Sequence, residues 1–543
     1  MKKKHLARVL PALLAASVLA VTGCSNGGGS SSSSSSSNGS SSAAETSAPE
    51  VEKVASFNYF GIASGKTNEE FNGSPQAAMV KEHTGYDVTY DQAPADMNDA
   101  QTAVMNIFMS RSDYQAVKVT KNQFYSLLAS NALKEITPYV ESSTNLKTQI
   151  SEFGWQTATS DGKIYAIPQK DATLANAVAI AYRLDWLNEY NAANPSAQIA
   201  LPSEENGYSM TLTEFKNMLT YFKTKVPQGG KAMAVDINGV YLENILPAFG
   251  VYQEWADVDG KLEYYVNQPG FEDYMAYMQD LVDSDLVTYQ ATSGDSGAVK
   301  LLQSKSVGAG RVPHWSAVTI EKTDAAETDD NIGYIQALVP DDSKGDASKV
   351  RAFGSEAYAY YTVIPKYATD SQAASVIDWA DQKLEEEFFK KLIIGTENET
   401  YTIKDGQYYP ILPAFDEQQG LSDKFMDGTR EENYAQYWLC RTRKTAAQDK
   451  LFSVANYNIK NTGVKSPVAV MPPNTVYDNS FSAADTEVRT ALIKSLYQKD
   501  GRQTLDQIRA VYTATLGTDI NTAVNDWYSS WAEKDSFNSV GPR

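Results

Sequence analysis

Residues 54–119 decide the fold class. Val54-Ala-Ser-Phe-Asn-Tyr59 and Asp87-Val-Thr-Tyr90 are rich in β-branched and aromatic residues and are expected as strands, with Tyr114-Gln-Ala-Val-Lys-Val119 a third. Between the last two, residues 98–109 set Val104, Ile107 and Phe108 at helical spacing. Strand, helix and strand in alternation argue for an α/β fold with largely parallel sheets. Ligand sites in such sheets lie beyond the carboxyl ends of the strands, so the loops leaving the strands deserve the search.

The pattern continues outward from this stretch. Thr211-Leu-Thr-Glu214 is a capping box, and the helix it opens carries Phe215, Met218, Leu219 and Phe222 on one face. Pro269-Gly270 precedes a helix with Phe271, Tyr274, Met275, Met278, Leu281 and Val282 on one stripe. Residues 371–394 keep Ala373, Ile377, Ala380, Leu384 and Phe388 at the same spacing and read as one helix with Glu385 to Glu387 toward solvent. No internal repeat at solenoid periods is visible. A chain of 543 residues exceeds one compact core, so two lobes or more are expected.

The amino terminus reads as an export signal. Lys2, Lys3, Lys4 and Arg8 precede an apolar run from Val9 to Val21, and Val21-Thr-Gly-Cys24 matches a bacterial lipobox. Cys24 would then open the mature chain and carry lipid. Residues 30–42 are nearly all serine, a flexible tether. No second apolar run is long enough to span a bilayer. The expected location is the outer face of the cytoplasmic membrane.

Composition narrows the function classes. Formal net charge is −20, and cleavage before Cys24 removes four basic residues and no acid, which makes it −24. No basic cluster survives, which argues against nucleic-acid binding and docking on anionic lipid. With Cys24 lipidated, Cys440 is alone and no internal disulfide forms. His83 and His314 are the only histidines outside the signal, and neither sits in a zinc-binding or G-x-S-x-G context. Asp257, Asp259, Gly260 and Glu263 lack the spacing of an EF-hand and read as an Asp-Gly turn entering a strand. No metal, cofactor or catalytic residue is expected.

Several segments resemble, in order, those of bacterial extracellular solute-binding proteins, in their long lipoprotein branch. They are Asn131-Ala-Leu-Lys-Glu-Ile-Thr-Pro138, Asp161-Gly-Lys-Ile-Tyr-Ala-Ile-Pro168 and Ala181-Tyr-Arg-Leu-Asp-Trp-Leu187, then Asp259-Gly-Lys261 leading to residues 271–286. Ile364-Pro-Lys366 leading to Asp378-Trp379, and residues 395–401, complete the set. Asn398 stands where the family has glycine. The resemblance implies a two-lobed α/β fold of the periplasmic-binding-protein type (type II) with strand crossovers as a hinge. Its members capture a solute in the cleft, often an oligosaccharide, and deliver it to the permease subunits of an ABC importer.

Comparison with the maltose-binding member implies where the cleft residues lie: Lys121 and Asn122 after the third strand, Lys170 and Asp171 after the hairpin proline, Asn238 and Tyr241 after the strand at 231–237, and His314 and Trp315 after a glycine-rich approach. Two acidic sugar contacts of that protein fall on Ala172 and Gly239, so a sugar other than maltose is implied. The chemistry agrees: aromatic faces suit the C–H faces of a pyranose, and Asn, Asp or Lys at the edge hydrogen-bond its hydroxyls. Trp315 and Tyr241 are expected to face ligand, and Trp186 and Trp379 the core.

The expected organisation is a signal peptide at 1–23, a tether at 24–50, one lobe from 51–168 and 356–425, and a second from 169–355 and 426–543. The expected protein is a monomeric, non-enzymatic carbohydrate binder. One rival is a binder of peptides or other solutes, for which Lys121, Asp171 and Arg351 would meet the charged termini. A second rival is a surface polysaccharide-degrading enzyme.

Overall fold

A computed structural model describes residues 52–170, 178–236, 243–290, 297–313, 317, 331–354, 358–461 and 463–539. In chain order the principal strands are β1 (Ser56–Gly61), β2 (Asp87–Gln92), β3 (Ala116–Thr120), β4 (Ala166–Lys170), β5 (Val178–Arg183) and β6 (Met233–Asp236). They continue with β7 (Trp255–Val258), β8 (Lys261–Tyr264), β9 (Val287–Gln290), β10 (Ala309–Pro313), β11 (Ile332–Ile335), β12 (Ala352–Gly354), β13 (Tyr358–Val363) and β14 (Gly463–Lys465).

Two five-stranded sheets result, in the orders β2-β1-β3-β13-β4 and β9-β6-β10-β5-β11. Both are mixed rather than largely parallel. In the first, β13 runs antiparallel to β3 and β4; in the second, β5 runs antiparallel to β10 and β11. The physical reason is connection length. Each odd strand enters from the other sheet and not through a local crossover helix, so no helix forces it parallel.

Strand alternation distributes the side chains between two covered faces. On β1, Phe57 and Tyr59 join the core that holds Trp379, Val376 and Phe389, whereas Phe60 joins the core that holds Val117, Val119 and Phe124. That second core continues without interruption to Ile180, Trp255, Tyr264 and the carboxyl-terminal helices. The far face of the second sheet packs Ala179, Ala181 and Ala234 on Val299, Leu302, Leu451 and Val454.

The expected helices form, with one difference. Thr211 caps Leu212–Lys223 through the Glu214 amide, and the predicted apolar face is buried. Phe271–Asp283 buries all six residues of its stripe. The stretch read as one helix is two, Asp370–Lys383 and Glu386–Ile394, separated by Leu384 and an extended Glu385. The Asp-Gly turn does join β7 and β8: Asp259 and Gly260 both have positive φ, and the Gly260 amide donates to Asp257 Oδ1 at 2.8 Å.

The chain passes between the sheets three times. It goes from β4 to β5, and from β11 through β12 to β13. The third passage runs from helix Glu431–Thr442, whose Tyr434, Tyr437 and Cys440 lie in the first sheet's outer core, to helix Ala446–Asn461, whose Leu451 and Val454 pack on the second sheet. The passage from β11 to β13 runs beside the segment that follows helix Ala446–Asn461, because β12 pairs with β14 in parallel register, Ala352 to Gly463.

Candidate functional site

Strand direction locates the site. In the first sheet β1, β2, β3 and β4 point the same way, so Gly61, Gln92, Thr120 and Lys170 end on one edge, where β13 begins at Tyr358. In the second sheet β6, β9, β10 and β11 end at Asp236, Gln290, Pro313 and Ile335, beside the start of β5 at Val178.

Three of the expected ligand residues are described. Lys121 is the first residue of helix Lys121–Ala129, directly after β3, where Thr120 and Gln123 form a capping box. Its Nζ lies 3.4 Å from the Ala469 carbonyl and 5.6 Å from the Tyr125 ring centre. Burial holds its pKa below the ordinary lysine value, against the opposing pull of Asp478 and Glu254. Asn122 is exposed beside it. Lys170 ends β4, half-buried, with Nζ 3.2 Å from Glu431 Oε2. Asp171, Asn238, Tyr241, His314 and Trp315 lie outside the described residues. So does Cys24. Asp171 directly follows β4, Asn238 and Tyr241 lie just past β6, and His314 and Trp315 follow β10.

Lys121 meets residues that the sequence reading did not single out. Asp478, on helix Thr475–Tyr497, accepts the Asn474 amide at 2.8 Å, and burial pushes its pKa up to about 7. Burial, then Asp485, raises Glu254. Asp485 is held by Tyr264 Oη and Arg489 Nε, each at 2.6 Å. Around these charges Tyr477 and Phe481 stack at 4.6 Å and 13°, and Trp255 lies 6.1 Å from Phe481. A cation, carboxylates that accept hydroxyl protons, and stacked aromatic faces therefore lie at one junction between the end of β3 and the carboxyl-terminal helices. Tyr477 and Phe481 at i, i+4 were visible in the sequence. Nothing local linked them to Lys121.

Other candidates are structural. Trp379 and Trp255 are fully buried, and Trp186 nearly so. His83 stacks on Phe388 at 3.8 Å and faces the Gln382 carbonyl at 3.2 Å. Among the described residues no group of three or more His, Cys, Asp or Glu could hold a metal ion, and no helix is long and apolar enough to cross a membrane.

Two sheets joined by three crossings, with strand ends gathered on one edge of each, define the two-lobed α/β fold of periplasmic solute-binding proteins. Solved structures of that fold match most of the chain. The ABC-transporter substrate-binding protein FusA of Streptococcus pneumoniae, in complex with kestose, superposes with a TM-score of 0.62 at 11% identity, over 88% of this chain and 100% of that one. An HMO-binding, ABC-transporter-associated solute-binding protein from Bifidobacterium longum infantis gives 0.61 at 12%, over 88% and 99%. In sequence, a Niallia circulans protein described as "Uncharacterized protein in butB 5'region" is 26% identical over 259 residues, 48% of this chain and 99% of its own length. No family model matches the chain.

Proposed function

We propose that the protein is a lipid-anchored solute-binding protein that captures a carbohydrate, an oligosaccharide, between its lobes and hands it to the permease subunits of an ABC importer. The carrying observation is the fold: both sheets present strand carboxyl ends at one edge, and three crossings join them. Ligand bridging the lobes stabilises the closed state, and that state is what a permease would recognise. The kestose complex and the HMO-binding protein among the similar structures support a sugar ligand, as does the aromatic and carboxylate junction beside Lys121. The anchor is Cys24, and Asn122, Lys170, Asp171, Asn238, Tyr241, His314 and Trp315 are proposed ligand contacts with Lys121.

The lobes are proposed to divide close to 51–168 with 356–425 and 169–355 with 426–543. The packing of Tyr434, Tyr437 and Cys440 supports extending the first lobe to about 442. A peptide ligand is less well supported, since the Arg351 guanidinium already donates to the Ser348 and Val350 carbonyls at 2.9 and 2.7 Å.

A thermal-shift screen of mono- and oligosaccharides, beginning with kestose, tests the reading. A sugar at a hundred times its Kd should add about 2.7 kcal/mol of stability and be recovered intact. No shift with any sugar, or a sugar returned cleaved, would overturn it.

A further inference from the structure

We propose that Glu431 is the pin of the inter-lobe hinge, a positioning residue that fixes the ends of two crossover strands and the Lys170 ammonium in one geometry. The inference rests on capture by lobe closure but not on the solute being a sugar.

Lys170 is the last residue of β4 and Tyr358 the first of β13. They pair across the strands, and the register shifts between Tyr358 and Tyr360. The chain leaves the first sheet beyond one and re-enters at the other. Glu431 begins helix Glu431–Thr442 and reaches both. Its Oε2 lies 3.2 Å from Lys170 Nζ, and its Oε1 accepts from Tyr358 Oη at 3.1 Å, from the Ser151 amide at 3.1 Å and from Ser151 Oγ at 3.3 Å. Thr429 Oγ1 donates to the Lys170 carbonyl at 3.3 Å. A carboxylate at the first position of a helix also suits the positive end of the helix dipole.

Helix Glu152–Thr157 completes the junction. Ser151 caps it through the Gly154 amide and lies 2.8 Å from Tyr358 Oη. A Cβ on Gly154 would come within 2.8 Å of the Tyr358 ring, so only glycine lets the tyrosine lie against the helix. The neighbouring Phe153 reaches the other way, to Phe537 at 5.2 Å and Trp531 at 6.1 Å. Helix Thr518–Ser530, which Trp531 follows directly, is tied to the β7–β8 hairpin, because Asn525 exchanges hydrogen bonds with the Leu262 amide and carbonyl. One short helix thus touches the start of β13 on one side and the carboxyl-terminal helices on the other. The Glu431 side chain is 12% exposed and accepts from both Tyr358 and Ser151 as well as pairing with Lys170, a charge-assisted network whose loss would free both strand ends together. Closure would then pivot outside this network, with the first lobe moving as a rigid piece up to Lys170 and from Tyr358 onward.

The test is a distance measurement in the full chain. Exposed Thr148 and Thr220, on helices Asn145–Gln149 and Leu212–Lys223, are changed to cysteine in a Cys24→Ala background, spin-labelled, and read by pulsed dipolar spectroscopy without ligand and with kestose. Glu431→Gln should widen the ligand-free distance distribution and move its mean, and Tyr358→Phe should do the same to a smaller extent. A distribution identical to wild type while the melting temperature falls would make Glu431 an ordinary stabiliser of the first lobe and overturn the proposal. Should Glu431→Gln not fold, Tyr358→Phe removes one hydroxyl and decides alone: an unchanged distribution overturns the pin. A wild-type distance that responds neither to kestose nor to any other oligosaccharide or peptide tried contradicts capture by closure itself, which separates that failure from the failure of Glu431.

Discussion

Asp478 makes the clearest prediction at the scale of a residue. Burial raises its pKa to about 7, so the folded state holds a proton that the unfolded state has released above about pH 4. Stability contributed by this group is therefore full below pH 4 and falls as pH rises toward 7. Asp478→Asn should leave stability at pH 4 nearly unchanged and raise it at pH 8 by about 1–2 kcal/mol, a figure discounted for the group's partial exposure. Urea unfolding at the two pH values checks it, and equal effects at both would contradict it. The first lobe holds the opposite case. Asp427 pairs with Lys383 and accepts from Tyr59 Oη at 2.8 Å, while buried Lys118 donates to the Met426 carbonyl nearby. Asp427→Asn would leave the buried Lys383 ammonium without its anion and should cost about 3–5 kcal/mol; denaturant unfolding would show a loss under 1 kcal/mol if the pair were idle. Neither network was legible in the sequence. Their members lie hundreds of positions apart, and an acidic chain offers too many carboxylates to choose among. The place of Lys121 directly after a recognisable strand was legible; its assignment to the cleft came from the family resemblance. Trp315 was read from its glycine-rich approach. Trp315→Ala should weaken oligosaccharide binding about tenfold or more, consistent with about 1–3 kcal/mol for a stacked ring, and leave the ligand-free melting temperature almost unmoved. An early-melting variant of normal affinity would return Trp315 to the core.

Elements were readable where their signals are local. The capping box at Thr211 needs only residues three apart, and the structure has both of its hydrogen bonds. Thr211→Ala should cost about 1 kcal/mol, seen as a lower denaturant midpoint with an unchanged slope. The break at Leu384 and Glu385 was not readable, because Leu384 and Phe388 continue the apolar spacing across it and both are buried. Periodicity reports which face is covered, not whether the axis turns. The antiparallel strands escaped for a related reason. The segments β5 and β13 were not read as strands, and only partners far along the chain set their direction.

For the whole molecule, length and alternation sufficed for a two-lobed α/β fold, and ordered family segments gave its type. How far each crossing reaches was not visible; the 431–442 helix returns to the first sheet's core through Tyr434 and Tyr437, which pack on Phe389 and Tyr408. The proposed anchor is tested separately: labelled fatty acid should enter the wild-type chain and be lost in Cys24→Ala. The central claim is capture by closure, and small-angle scattering addresses it most directly. The radius of gyration of the chain is measured alone and with a saturating oligosaccharide identified by the thermal screen. The account predicts a smaller radius with sugar, reversed when the sugar is dialysed away. An unchanged radius with sugar bound at saturation would contradict it.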